Sequence, residues 1–126
     1  MKIHFDKVET RPWHTLNPSK LKLLVSLLPE ELKSLFNYIH VGNQLPEKSR
    51  FDRPVILSMK RLNVLDRGVP ESQIIREICV ELQQRAESQS AMRSRKYNRL
   101  DPLQLRAINE IVNPLVAEYE ELVASM

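Results

Sequence analysis

Prolines that follow helix-capping residues constrain the fold of this chain more than any other feature. Asn17 precedes Pro18 and Asp101 precedes Pro102, and a capping side chain followed by a first-turn proline is the usual start of a helix. Three further prolines have similar neighbours: Pro29 and Pro70 are each followed by glutamate, which is favourable in a first helical turn, and Pro54 follows the capping residue Asp52. The pattern predicts helix starts near Pro18, Pro29, Pro54, Pro70 and Pro102.

Apolar residues recur at helical spacing after each of these points. Five such stripes are present: Leu21, Leu24, Val25 and Leu28; Leu32, Leu35, Phe36 and Ile39; Val55, Ile56, Met59, Leu62 and Leu65; Ile74, Ile75, Ile78, Cys79, Leu82 and Ala86; and an aliphatic series after Pro102. We therefore predict an all-α fold, a compact bundle of five or six helices. Residues 1–16, in which Ile3 and Phe5 alternate with polar residues, form a short extended arm in this prediction.

Length and composition restrict the class of protein. A chain of 126 residues with 42% hydrophobic and 28% charged residues is a single globular domain. Two glycines are too few for a glycine-rich phosphate loop, and one cysteine excludes an internal disulfide. The longest apolar stretch is far shorter than the roughly 20 residues that cross a bilayer. We expect a cytoplasmic protein that does not contact membranes.

The most specific pattern is a helix-turn-helix-like unit over residues 54–84. Gly68 supplies a left-handed turn residue between the predicted third and fourth helices, as in DNA-reading helix pairs. Ser72, Gln73 and Arg76 would then face outward near the start of the reading helix, with side chains that can bond base edges or phosphates. The alternative is an ordinary pair of packed helices joined by a turn.

A basic connection over residues 91–100 follows the predicted four-helix core of residues 17–90. Its four cations, Arg93, Arg95, Lys96 and Arg99, surround Tyr97 and could contact phosphates while the aromatic ring stacks on a base. The alternative is that these cations pair with the acidic residues of the C-terminal helix, among them Glu110 and Glu118.

The predicted C-terminal amphipathic helix, residues 101–126, carries a heptad seam. Its members are Leu105, Ile108, Val112, Leu115, Tyr119 and Leu122. The seam is either a partner surface, which would make a homodimer possible, or the side on which the helix packs against its own domain. Pro114 lies in the middle of the seam, where a proline costs about 3 kcal/mol or splits the helix.

Residues for catalysis or metal binding are sparse. His4, His14 and His40 have no short ligand spacing to one another or to Cys79, so we expect no metal site, no cofactor and no enzymatic activity. Trp13 is the only tryptophan and either covers the core or marks a partner contact.

The resulting prediction is a small cytoplasmic regulatory or accessory protein that binds nucleic acid through the helix-turn-helix-like unit and the basic connection. The alternative is a protein-interaction module, such as an adaptor, chaperone or inhibitor, that uses the N-terminal arm, Trp13 or the heptad seam.

Overall fold

A computed structural model describes residues 1–48, 53–91 and 102–125. Along the chain the elements are as follows: β1 Lys2–Phe5, α1 Pro18–Leu27, α2 Glu30–Lys33, β2 Tyr38–Val41, a 3₁₀ turn at Pro46–Lys48, β3 Val55–Ser58, β4 Arg61–Val64, α3 Glu71–Ala91 and α4 Pro102–Ala124. The described part of the chain is a two-layer α/β structure, with a mixed four-stranded sheet and four α-helices.

The strand order in the sheet is β1-β2-β4-β3. β1, β2 and β4 run parallel, whereas β3 pairs antiparallel with β4 and is the first strand of a tight hairpin. The strand that precedes the helical region therefore pairs with the body of its own chain. Because all three parallel strands end at the same edge, the residues that follow them meet there.

The hydrophobic core lies between the helices and one face of the sheet. Strand residues at alternate positions, such as Ile39, Val41, Leu62 and Val64, are at most 1% exposed. They form one cluster with buried residues of all four helices, including Tyr119 of α4. Period-2 alternation of this kind places the remaining strand residues on the opposite face.

Helix α3 closes the free edge of β3 with two side chains. The Leu57 amide donates to Oε2 of Glu81 at 2.8 Å, and Arg85 donates to the Leu57 carbonyl at 2.7 Å. Unpaired strand edges recruit other chains, so these two bonds protect this edge. They also explain why Glu81 is only 7% exposed, because it is held by the strand and by Arg53 at 3.1 Å.

The prediction of an all-α bundle is wrong, because two predicted helices are largely strands. The predicted third helix is the β3–β4 hairpin, which turns at Met59 and Lys60. The predicted second helix ends after Lys33, and Tyr38–Val41 enters the centre of the sheet. In β3 the apolar residues stand on consecutive positions and give no clear period. β2 and β4 do alternate, but each is only four residues long, so this alternation is too short to outweigh the helical spacing of the apolar residues around it.

Other parts of the prediction are confirmed. Asn17 caps α1 by accepting a bond from the Lys20 amide at 2.9 Å, and Pro18 is in its first turn. Helix α3 ends at Ala91 and α4 begins at Pro102, close to the predicted boundaries. The alternative of a last helix split at Pro114 is not confirmed, because α4 continues through this residue. Among the described residues, no helix combines the length and the apolar character needed to cross a bilayer.

Candidate functional site

The side of the sheet opposite the helices carries the clearest concentration of functional side chains. We call it the outer sheet face, and define it by two rows that the strand register aligns across the sheet. The rows are Lys2, Tyr38, Arg61 and Ser58, and His4, His40, Asn63 and Ile56. Each of these residues is exposed or partly exposed. The sheet therefore presents a continuous and mostly polar surface.

The charge of this surface is one-sided. None of the four described strands contains an acidic residue, whereas Lys2 and Arg61 lie on the outer sheet face. Lys60 adds a cation at the hairpin turn and donates to the Ser34 carbonyl at 3.0 Å. Acidic side chains are concentrated in the helical layer instead, where α4 alone holds Glu110, Glu118, Glu120 and Glu121. Asp6, which directly follows β1, places a carboxylate against both histidines of the face.

An aromatic ring and a guanidinium lie together at the centre of the outer sheet face. The Arg61 guanidinium is over the Tyr38 ring, 5.5 Å from its centroid. The same group donates to Nδ1 of His40 at 2.6 Å. A guanidinium can only donate, so His40 accepts at Nδ1 and carries its proton at Nε2. These three groups present flat surfaces suited to stacking.

A second cluster is formed by His4, Asp6 and His40. Oδ1 of Asp6 is 3.2 Å from Nε2 of His4 and 2.9 Å from Nε2 of His40. The two imidazole rings are stacked at 5.6 Å between centroids. Burial raises the pKa of Asp6, but the hydrogen bond from His40, the positive charge that His40 and His4 carry when protonated, and a backbone bond at Asn43 together outweigh it. The net effect holds the pKa of Asp6 below its ordinary value of 3.8.

A pocket of about 240 Å³ opens beside this cluster, at the carboxyl ends of the parallel strands. At about 30 Å³ per water molecule this is room for roughly eight waters, which suits one flat ring or another small group. Its polar lining includes Asp6, His40, Arg61 and Asn63, and Ile56, Pro54, Val64 and Leu65 supply apolar walls. A small ligand with one polar edge would fit such a lining.

The loop after β2 approaches the end of β4 closely at Gly42. A Cβ at Gly42 would lie 3.0 Å from Cδ2 of Leu65 and 3.9 Å from Oδ2 of Asp6. The Gly42 amide donates to the Val64 carbonyl at 2.9 Å. Glycine at this position therefore allows the strand ends to converge around the pocket.

A hydrogen-bond network through His14 and the buried Asp66 fixes the backbone of Asp6. The Asp66 carboxylate is fully buried and accepts bonds from Nδ1 of His14 at 2.7 Å and from the Leu16 amide at 2.9 Å. The other nitrogen of His14 donates to the Asp6 carbonyl at 2.6 Å. His14 thus positions the backbone of Asp6 and is held by a carboxylate that has no access to solvent.

The helix-turn-helix-like unit predicted over 54–84 is absent, since its first half is the β3–β4 hairpin. Ser72 and Gln73 are exposed in the first turn of α3. Arg76 is partly buried and donates to Oδ1 of Asn109 at 3.1 Å and of Asn113 at 2.6 Å. The structure therefore joins Arg76 to α4 instead of presenting it with Ser72 and Gln73 as one reading surface.

The other predicted site residues are dispersed. Arg93, Arg95, Lys96 and Arg99 lie outside the described residues. In the heptad seam, Ile108, Val112 and Tyr119 are buried in this chain's own core and Leu115 packs against it. Leu105 and Leu122 are 41% and 37% exposed, and Trp13 is 52% exposed. The seam thus serves mainly intramolecular packing.

Sequence reasoning missed His4, Asp6, His40, Arg61 and Asn63 as a group. Asp6 and His40 are 34 residues apart, and only pairing of β1 with β2 brings them together. The available signal was alternation: polar His4 lies between Ile3 and Phe5, and polar His40 between two buried aliphatic residues. Two such segments predict polar side chains on one sheet face, but they do not predict which strands are neighbours.

Comparison of the chain with protein-family models, with curated proteins and with solved structures finds no match.

Proposed function

We propose that this protein is a non-enzymatic binder of single-stranded nucleic acid, and that the outer sheet face is its binding surface. The observation that carries the proposal is a sheet face whose strand residues include no acid, which Asp6 borders at one end, and on which Tyr38, Arg61 and two histidines lie side by side. Single strands are bound by stacking bases on aromatic rings and guanidinium planes while cations contact the backbone. This surface replaces the helix-turn-helix-like unit as the proposed site.

Each part of the outer sheet face has a role in this proposal. Tyr38 and His40 lie on the same face two residues apart, which is roughly 7 Å along a strand, so they offer successive stacking positions. Lys2 and Lys60 flank them as phosphate contacts. The pocket beside Asn63 is large enough for one base, whose edge would be read by the Asn63 amide.

The charge distribution orients the ligand in this proposal. A polyanion is repelled by the acidic residues of α4 in the helical layer and attracted by Lys2, Lys60 and Arg61. A cytoplasmic location also belongs to the proposal. It is supported by Cys79, which is buried and unpaired, as expected in a reducing compartment.

The test is fluorescence anisotropy with labelled 12-nucleotide DNA and RNA single strands and a duplex of the same sequence, in buffer with EDTA. We expect single strands to bind more tightly than the duplex. Tyr38→Ala should weaken binding about fivefold or more, because stacking of one base contributes about 1–3 kcal/mol. Arg61→Gln should weaken binding and make the log–log salt dependence shallower by about 0.7, because it removes one of the three cations that attract the strand and so neutralises about one phosphate fewer.

Lys22→Ala is the matched control, since Lys22 is an exposed cation on α1 in the helical layer. It should change neither the affinity nor the salt slope. Equal weakening by Lys22→Ala and Arg61→Gln would mean that binding is unspecific and would reject the outer sheet face as the site. Absence of binding by wild-type protein at low salt would reject the function.

A second function, protein interaction through Trp13, is favoured by the way its loop is held. The Arg67 guanidinium donates to the Pro12 carbonyl at 2.8 Å and to the Thr10 carbonyl at 3.1 Å, and it also bonds the Asn43 carbonyl. Trp13 is thereby presented half-exposed on an ordered loop, and pre-ordered aromatic residues are common energetic centres of protein interfaces. A protein that fails the oligonucleotide test would leave this function as the stronger candidate.

A further inference from the structure

We infer that His4, Asp6 and His40 form a binding site for a transition-metal dication of the zinc class, and that Arg61 competes with the ion for His40. The inference does not depend on nucleic-acid binding. It rests on the identity of the three ligands, on the distances between them and on the hydrogen bond that occupies His40.

The three side chains form a suitable ligand set. Zinc is bound by imidazole nitrogens and carboxylate oxygens, and imidazole ligands favour zinc and its neighbours over magnesium or calcium. One ligand atom from each of the three residues can be chosen so that all lie within 4.8 Å of one another. Three protein ligands leave a fourth position open to water or to an anionic group.

The two distances from Asp6 to the histidines are close to those of a tetrahedral site. Bonds of about 2.0–2.1 Å place neighbouring ligand atoms about 3.3 Å apart. Oδ1 of Asp6 is 3.2 Å from Nε2 of His4 and 2.9 Å from Nε2 of His40. Small side-chain rotations would complete the site, and the His4 side chain, which is 56% exposed, is free to make them.

The bond from Arg61 to Nδ1 of His40 opposes metal binding. A histidine that binds metal through Nε2 normally donates from its other nitrogen to an acceptor. Here the partner of Nδ1 is a guanidinium, which itself donates at 2.6 Å. When the ion takes the place of the proton on Nε2, a neutral imidazole carries its proton on Nδ1, and Arg61 must then leave. Metal binding and the Arg61–His40 bond are mutually exclusive.

Because the two are mutually exclusive, removing Arg61 should raise the affinity of the site for the metal ion. The test is isothermal titration calorimetry of ZnCl₂ into the full chain without a polyhistidine tag. We expect one ion per chain. His4→Ala and His40→Ala should each weaken binding at least tenfold through loss of a ligand. Arg61→Ala should tighten binding about threefold or more, since a competing hydrogen bond and a nearby positive charge are both lost.

Lys60→Ala controls for the general effect of charge, because Lys60 is the neighbouring cation and bonds the Ser34 carbonyl, not His40. It should change zinc affinity much less than Arg61→Ala. Long-range ¹H–¹⁵N spectra provide an independent readout: zinc should move the His40 proton from Nε2 to Nδ1. Far-ultraviolet circular dichroism of each variant shows whether it is folded, and the tautomer shift in wild-type protein tests the site without any substitution.

Several results would overturn the inference. Wild-type protein that binds no zinc at micromolar concentration would reject the site, as would binding that His4→Ala and His40→Ala leave unchanged. An Arg61→Ala variant that binds zinc no more tightly than Lys60→Ala would reject the competition. All of these measurements are made without oligonucleotide, so their failure would leave the proposed nucleic-acid surface untouched.

Discussion

The hydroxyl of Tyr119 differs from the other buried side-chain polar groups of the described residues. Tyr119 is 1% exposed, and its buried hydroxyl has no hydrogen-bond partner in the described part of the chain. A buried hydroxyl without a partner is unfavourable by about 1–3 kcal/mol. Tyr119→Phe keeps the ring in the core and removes that group. We therefore expect its free energy of unfolding at pH 7, measured with guanidinium chloride, to be unchanged or higher by up to about 1 kcal/mol.

The same substitution should change the response to alkali. Burial, and secondarily the charge of Glu71, raise the pKa of Tyr119 from 10.0 to about 12. As the pH rises, this phenol loses its proton in the unfolded chain before it does so in the folded protein. Its contribution to the free energy of unfolding is therefore fully present below pH 10 and is lost as the pH rises toward 12. Tyr119→Phe should lose less stability over this interval than wild-type protein. Tyr38→Phe, on the outer sheet face, is the control; a Tyr119→Phe protein that loses over 1 kcal/mol at pH 7 would contradict the assignment.

Among the elements, helices with a local start signal and the extended segment that forms β1 were predictable, whereas β2, β3 and β4 were not. Asn17 and Pro18 determine the start of α1 through contacts within four residues, so the sequence contains all of the information needed. The hairpin at Val55–Val64 lacks such a signal. Its two-residue turn is Met59–Lys60 instead of the Asn-Gly or Asp-Gly pairs that mark tight hairpins. The hairpin also pairs with β2, which lies about 20 residues earlier in the chain, so no short stretch of sequence contains both partners.

The hairpin turn gives a prediction at this scale. Met59 has a φ of 57°, and its side chain is exposed, with a residue exposure of 89%. A side chain in the left-handed region is unfavourable because of its Cβ, whereas glycine adopts this region freely. Met59→Gly should therefore raise the free energy of unfolding by up to about 1 kcal/mol in thermal or chemical denaturation. Met59→Ala removes the same exposed side chain but keeps Cβ, so it should give no such gain. Equal effects of the two variants would refute the explanation.

For the whole molecule, a candidate site that depends on strand order lay beyond what one sequence can reveal. His4 and His40 occupy equivalent register positions in neighbouring parallel strands, and a register shift of one residue would turn either side chain toward the core. Local alternation predicts that each histidine lies on a polar strand face, but it does not predict that the two strands are neighbours in one sheet. The heptad seam of α4 shows a related limit. Its spacing is evident in the sequence, but only the structure shows that the seam packs against α1 and α3 of the same chain.

The accessibility of Cys79 to thiol reagents can show whether the whole molecule unfolds cooperatively. It is 0% exposed within the core cluster that joins the sheet to all four helices. Burial, partly offset by the charge of Arg76, raises the pKa of its thiol to about 12. A thiol reagent at pH 8 should therefore react with the native protein orders of magnitude more slowly than with the unfolded chain. Across a guanidinium titration, the midpoint of labelling should coincide with that of helix loss by circular dichroism, as one cooperative domain requires. Labelling that precedes helix loss would show instead that the layer of α3 opens separately from the rest.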